Sequence, residues 1–168
     1  MAKIITVGAA IQDVFLSQSD ALTPVCESPE HCFARLDLGA KADVNQIHFS
    51  TGGGATNAAV TFSRQGHYAS FMGAIGHDPA GQAVIADLDK ENIDTHLVRY
   101  SPKYSTGYSV LLLASNGERT ILTYRGASTR YHEADFDLSE EDADWLYVST
   151  LAGNMPMLHK LFQQAKHR

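Results

Sequence analysis

The chain has 168 residues, 44% hydrophobic and 19% charged, which is enough apolar material for one substantial core and argues against disorder. Thirteen Lys and Arg against nineteen Asp and Glu leave a formal charge of −6, which excludes the basic footprint of a nucleic-acid or acidic-membrane binder and points to small-molecule work. No apolar run approaches a membrane span, and Met1-Ala2-Lys3 leads into a strand without a signal-peptide pattern, so the expected location is the cytoplasm.

In chain order, Lys3 to Val7 is a short apolar run bounded by glycine and reads as a buried strand. Cys26 and Cys32 are expected as reduced thiols, the usual state in a cytosolic chain. Phe33 to Leu38 and Val44 to Phe49 read as a pair of antiparallel strands, and Thr51-Gly52-Gly53-Gly54 leads into a helix from Asn57 to Gln65. Ser70 to Ile75 is a second buried strand. Asp78 as N-cap and Pro79 at the first helical position start a helix whose apolar face is Val84, Ile85 and Leu88 and which Asn92 closes. Thr95 to Arg99 follows as a strand.

Tyr108 to Ala114 and Thr120 to Tyr124 form a hairpin across Ser115-Asn116-Gly117. The acidic stretch Glu133 to Asp144 reads as a solvated surface loop, with a metal role the lesser alternative, Trp145 to Ser149 as a strand, and Pro156 opens a last helix whose apolar face is Leu158, Leu161, Phe162 and Ala165. Strands alternating with helices predict an α/β fold with a mostly parallel sheet and right-handed crossovers. The antiparallel pairs make a separate small sheet on one reading and an ordinary edge hairpin on the other. The eight histidines are scattered without metal-ligand spacing, so no metal site is expected.

The triple glycine carries the most chemistry. Glycine lets main-chain N–H groups approach a ligand, and the helix that follows offers unpaired donors at its first turn. Asn57 adds an amide that both donates and accepts, as a polyol does. The competing reading is a tight loop that serves only helix–strand packing. The pattern is neither the dinucleotide G-x-G-x-x-G nor a phosphate loop, since no Gly-Lys-Ser/Thr follows.

Asn57-Ala58-Ala59-Val60 after the glycines, then Gly76-His77-Asp78-Pro79-Ala80-Gly81, resemble the first signature of the ribokinase-like (PfkB) family of carbohydrate kinases. Ile4 to Asp13 resembles that family's opening strand, and Ser105 to Val110 with Glu118 to Ala127 its hairpin and Arg-Gly-Ala turn. The resemblance covers nearly the whole chain. It implies a Rossmann-like sheet flanked by helices, an incomplete ribokinase-like fold with a small antiparallel β lid near 33–49 and 107–124. It also implies a homodimer contact through the lid strands.

By the same resemblance Asp13, Gly53, Gly54, Asn57, Gly126 and Ala127 bind a sugar or nucleoside, Asp13 alternatively only capping the turn after it. The family's proton acceptor lies in a Gly-Ala-Gly-Asp segment, and these 168 residues contain none. The expectation is therefore the N-terminal, substrate-binding part of a kinase domain. Its catalytic base is expected downstream of Arg168, with the seats of ATP and Mg2+, and this chain alone would bind neither. Ser149-Thr150 stands where ribokinase carries a sugar-reading glutamate, which argues against ribose. The alternative is a non-catalytic sugar-binding or dimerisation module without an ATP site.

Overall fold

The structure is a computed structural model, and it describes residues 1–28 and 30–166. Arg168, the residue downstream of which the catalytic base is expected, lies outside the described residues. In order, the elements are β1 (Lys3–Val7), β2 (Ile11–Ser17), β3 (Val25–Ser28), β4 (His31–Phe33), β5 (Gln46–Gly52), α1 (Gly54–Arg64), β6 (Tyr68–Met72) and β7 (Ala74–Gly76). There follow α2 (Pro79–Lys90), β8 (Arg99–Ser101), β9 (Gly107–Leu113), β10 (Arg119–Tyr124), β11 (Trp145–Val148) and α3 (Met155–Lys166). They divide into a larger unit, made of Met1–Gln12, Thr51–Tyr108 and the chain from Tyr124 onward, and a smaller one, Asp13–Ser50 with Ser109–Thr123.

In the larger unit β1 is the middle strand of a parallel sheet ordered β11-β1-β6, with Ile4 opposite both Trp145 and Ala69. β7 and β8 pair in parallel as a separate two-stranded sheet. Side chains alternate across strands, so the two faces bury different sets. Ala69 and Phe71 join Ala55 and Ala59 of α1 and Val84 and Leu88 of α2 on one side. Ile5, Val7 and Met72 join Met157 and Leu161 of α3, with Phe136 and Leu138, on the other. The parallel α/β expectation holds.

Several elements differ from their sequence reading, each for a local reason. The expected strand Ser70 to Ile75 breaks at Gly73, where a Cβ would run into the Phe71 ring and stand 2.6 Å from the Gly8 carbonyl oxygen. The strand expected at Thr95 to Arg99 starts only at Arg99. Asp94 accepts a hydrogen bond from the His96 N–H at 3.0 Å, and this turn diverts the chain first. The acidic stretch is no free loop, because Phe136 and Leu138 are buried. The last helix is anchored by Met157 and Leu161, while Phe162 stands half exposed and Ala165 exposed.

The smaller unit carries a four-stranded sheet ordered β10-β9-β2-β5, with β9 and β10 adjacent across the expected Asn116-Gly117 turn. Phe33–Leu38 and Val44–Phe49 do not pair. Asn45 donates to the Gln18 carbonyl through its N–H at 3.2 Å and its amide at 3.0 Å, and Ser17 donates to the Gln46 Oε1 at 3.2 Å. These bonds lay β5 beside β2 instead. Phe33 pairs within a separate two-stranded ladder, β3 with β4, where Cys26 and Cys32 face each other and form a disulfide. The expectation of free thiols is thus corrected: it came from compartment, whereas cross-strand geometry brings the sulfurs together. No helix among the described residues is long and apolar enough to cross a membrane.

Candidate functional site

The carboxyl ends of β1, β6 and β11 meet at one place. The Gly8 N–H donates to the Met72 carbonyl at 3.1 Å, and the Ser149 N–H donates to the Val7 carbonyl at 2.9 Å. Open α/β sheets bind ligands at such strand ends. The glycine run Gly52-Gly53-Gly54 enters here and turns into α1. Gly53 has φ 114°, and a Cβ there would collide with the Ala9 carbonyl, its carbon only 2.8 Å away. A Cβ on Gly54 would strike the Ser149 hydroxyl, but the residue's other side is exposed.

Helix α1 therefore begins at Gly54, three residues before the asparagine that the sequence pattern sets at its start. Its N-cap is Gly53, which has no side chain to offer. The nearby hydroxyl, Thr56 Oγ1, donates backward to the Gly52 and Gly53 carbonyls at 2.7 and 3.0 Å, so it locks the loop and caps nothing. Asn57 makes the first intrahelical bond, its N–H donating to the Gly53 carbonyl at 3.0 Å. The N–H groups of Gly54, Ala55 and Thr56 have no partner within the helix, but Ala55 and Thr56 are fully buried and only Gly54 is exposed. Beside them the Asn57 amide is exposed and makes no hydrogen bond among the described residues. Donors, an amide and bare backbone share one corner, which suits hydroxyl oxygens.

Helix α2 shows the opposite arrangement. Asp78 accepts from the Gly81 N–H at 2.8 Å through Oδ1, from the Thr106 N–H at 2.8 Å through Oδ2, and from the Thr106 hydroxyl at 2.7 Å. Thr106 Oγ1 in turn accepts from the Gly76 N–H at 2.9 Å. Burial pushes the Asp78 carboxyl up, but the hydrogen bonds from Thr106 and Gly81 outweigh it and hold the group below the ordinary carboxylate range. The Gly-x-Asp-x-x-Gly spacing follows from this clamp. A Cβ on Gly76 would stand 2.7 Å from the Thr106 nitrogen, and one on Gly81 2.8 Å from its hydroxyl. Thr106, fully buried, is not singled out by the sequence, where nothing in Ser105-Thr106-Gly107 marks it as an acceptor.

Of the remaining candidates, Asp13 is the third residue of β2 and not the end of the first strand, and it belongs to the smaller unit. Burial raises its carboxyl above the ordinary range, against the lowering effect of a hydrogen bond from the buried Ser109. Gly126 and Ala127 lie in the larger unit, in a 3-10 turn at Gly126–Thr129. Gly126 has φ 51°, with the Ser105 carbonyl and the Tyr124 ring against it, and the Ala127 N–H donates to that carbonyl at 2.8 Å. The Ala127 side chain is in the core, so this turn has only backbone to present. Among the described residues no group of three His, Cys, Asp or Glu side chains is placed to hold a metal.

The model of the pfkB family carbohydrate kinases matches residues 2–168. A 5-dehydro-2-deoxygluconokinase from Clostridium botulinum is 34% identical over 98 residues, 58% of this chain and 27% of that protein. A fructokinase from Vibrio alginolyticus is 30% identical over 122 residues, covering 68% of this chain and 38% of its own length. In structure, a sugar kinase from Pyrococcus horikoshii solved in complex with ATP superposes with a TM-score of 0.71 at 24% identity, over 98% of this chain and 49% of that one. The chain thus spans about half the length of its structural relative.

Two outcomes follow for stability, both read by urea denaturation. Gly53→Ala combines a forbidden φ with a backbone collision and costs about 3 kcal/mol or more, whereas Gly54→Ala, meeting the Ser149 hydroxyl, which can rotate aside, and the Ser149 Cβ at 3.2 Å, costs less, about 1–2 kcal/mol. Asp78→Ala costs about 2 kcal/mol at neutral pH. Because the folded carboxyl lies below its unfolded value, this stabilisation is present above about pH 4 and fades as pH falls through the folded value. The gap between wild type and variant should therefore narrow at about pH 3, and a constant gap would contradict the clamp.

Proposed function

This chain belongs to the pfkB family of carbohydrate kinases, and from that premise we propose that it supplies the substrate-binding part of a cytoplasmic kinase acting on a sugar or sugar-like molecule, nucleosides included. The phosphoryl donor in this reading is ATP with Mg2+ and the acceptor a hydroxymethyl group. The observation that carries the substrate role is the uncapped first turn of α1 with the exposed Asn57 amide beside it. Because the chain spans about half of its structural relative, the metal, the nucleotide and the proton acceptor are assigned to the remaining part of a longer kinase, downstream of Arg168.

What this chain's own residues do is hold and select the alcohol. The Asp13 carboxylate accepts from substrate hydroxyls. The backbone at Gly53 and Gly54 donates to hydroxyl oxygens, and Asn57 does both. The turn at Gly126 and Ala127 contributes backbone only. A stereoisomer that misplaces one hydroxyl leaves one of these groups unpaired, which is the strongest discrimination available to a polar site. Phosphoryl transfer asks for positioning above all, and a polyol held at several hydroxyls presents its remaining hydroxymethyl group in one orientation.

A homodimer through the smaller unit's sheet completes the proposal. Its outer strands β5 and β10 expose Ile47, Phe49, Ile121 and Leu122, apolar side chains on edge strands that a second copy would cover.

Calorimetry on the full-length protein against a panel of sugars and nucleosides tests the reading. One class of ligand should bind, and Asp13→Asn should weaken it by about 10- to 100-fold. Since Asp13 titrates above the ordinary carboxylate range, wild-type binding should decline on the acid side at a pH higher than about 4, and the variant should lose that dependence. Turnover and binding unchanged by Asp13→Asn would overturn the assignment.

A further inference from the structure

Both cysteines of the chain are spent on the Cys26–Cys32 disulfide, and it joins two exposed strands. β3 and β4 pair with each other and with no other strand among the described residues, and they are only four and three residues long. Val25, Cys26, Glu27, His31 and Cys32 are all exposed. A two-stranded hairpin of this size has no core beneath it and is marginal in water by itself. The covalent bond is therefore what keeps the ladder in register, and the ladder does little to shield the bond.

An exposed disulfide in an element that opens locally is reachable by an attacking thiolate without unfolding the rest of the molecule. Cys32 also lines an open cavity of about 670 Å3 within the smaller unit, with Phe33 and Leu36 on its own side and Leu112 and Leu122 on the side of β9 and β10. The hairpin is one wall of that cavity. Disulfides in a reducing compartment are mostly of the exchanging kind, which agrees with the cytoplasmic setting proposed above.

We propose that Cys26–Cys32 is a thiol–disulfide exchange site that takes a dithiol reductant as its substrate, and that its opening releases the β3–β4 hairpin from the wall of this cavity. One thiolate of the reductant attacks a cysteine sulfur, the S–S bond breaks, and the other cysteine leaves as a thiolate that takes a proton from water. The reductant's second thiol, on losing its proton, then displaces the first cysteine from the mixed disulfide. The chain gains two electrons and two protons and ends with two thiols. The reductant ends as a cyclic disulfide, and the reverse sequence restores the bond.

The test uses the full-length protein, dithiothreitol as the dithiol, and two readouts. The first is mass labelling of thiols by a maleimide reagent under native conditions. The second is cleavage after Glu27 and Glu30 by a glutamate-specific protease, both sites lying in the hairpin region. Reduction under native conditions should expose two labelled thiols, raise hairpin cleavage at least about tenfold, and reverse on adding the oxidised reagent. The double variant Cys26→Ser, Cys32→Ser should be cleaved at the fast rate with or without reductant. A bond reducible only in denaturant would overturn the proposal, as would cleavage insensitive to reduction, or untreated protein that already carries two free thiols no oxidant removes.

Discussion

The larger unit depends on one close approach, the main chain at Gly53 laid against the Ala9 carbonyl with no room for a Cβ between them. That contact brings the entry of α1 down onto the turn that follows β1, at the carboxyl ends of the parallel strands. Any side chain would push the two backbones apart. The helix would then start elsewhere, and its first-turn donors would no longer face the same corner. A packing constraint and a candidate binding surface are thus made by neighbouring residues. Gly53 serves packing, while Gly54 and Asn57, one residue and four residues later, face outward.

The first turns of α1 and α2 are arranged in opposite ways. At α2 each acceptor atom of Asp78 is taken, by Gly81 and by both donors of Thr106, and Thr106 also accepts from Gly76, so that end is closed and rigid. At α1 the available hydroxyl turns back onto the glycine loop, and the first N–H groups stay without a partner in the helix. A fold that caps one helix this thoroughly has the residues to cap the other. The contrast is what makes the open end read as a seat for an external hydroxyl or oxyanion.

Elements whose ends are written in side-chain chemistry are legible in the sequence. Asp78-Pro79 marks the start of α2, and the apolar run Lys3 to Val7 bounded by Gly8 marks β1. Elements whose ends depend on backbone are not. α1 starts three residues early because a glycine with positive φ, and not the asparagine, ends the loop. β8 starts late because Asp94 makes a local turn. The partner of β5 escapes a sequence reading, since the bonds from Asn45 and Ser17 that set its place reach across 27 and 29 residues, beyond any local pattern. The glycine run and the Asn57 amide at the entry of α1 are legible in the sequence as residue types. The Thr106 clamp reaches across 28 residues and has no sequence mark, while the backward bond of Thr56 is local, three and four residues long, and nothing in the sequence says that this hydroxyl turns back instead of capping the helix.

The central claim is that the first turn of α1 receives the substrate's hydroxyls. Amide hydrogen exchange on the full-length protein, with and without a saturating sugar or nucleoside that it binds, tests this most directly. The account predicts slower exchange at Gly54, the exposed residue of that turn, when ligand is present and unchanged exchange at Gly81, whose N–H Asp78 already holds. Ligand binding that leaves the Gly54 amide exchanging as in the free protein would contradict it.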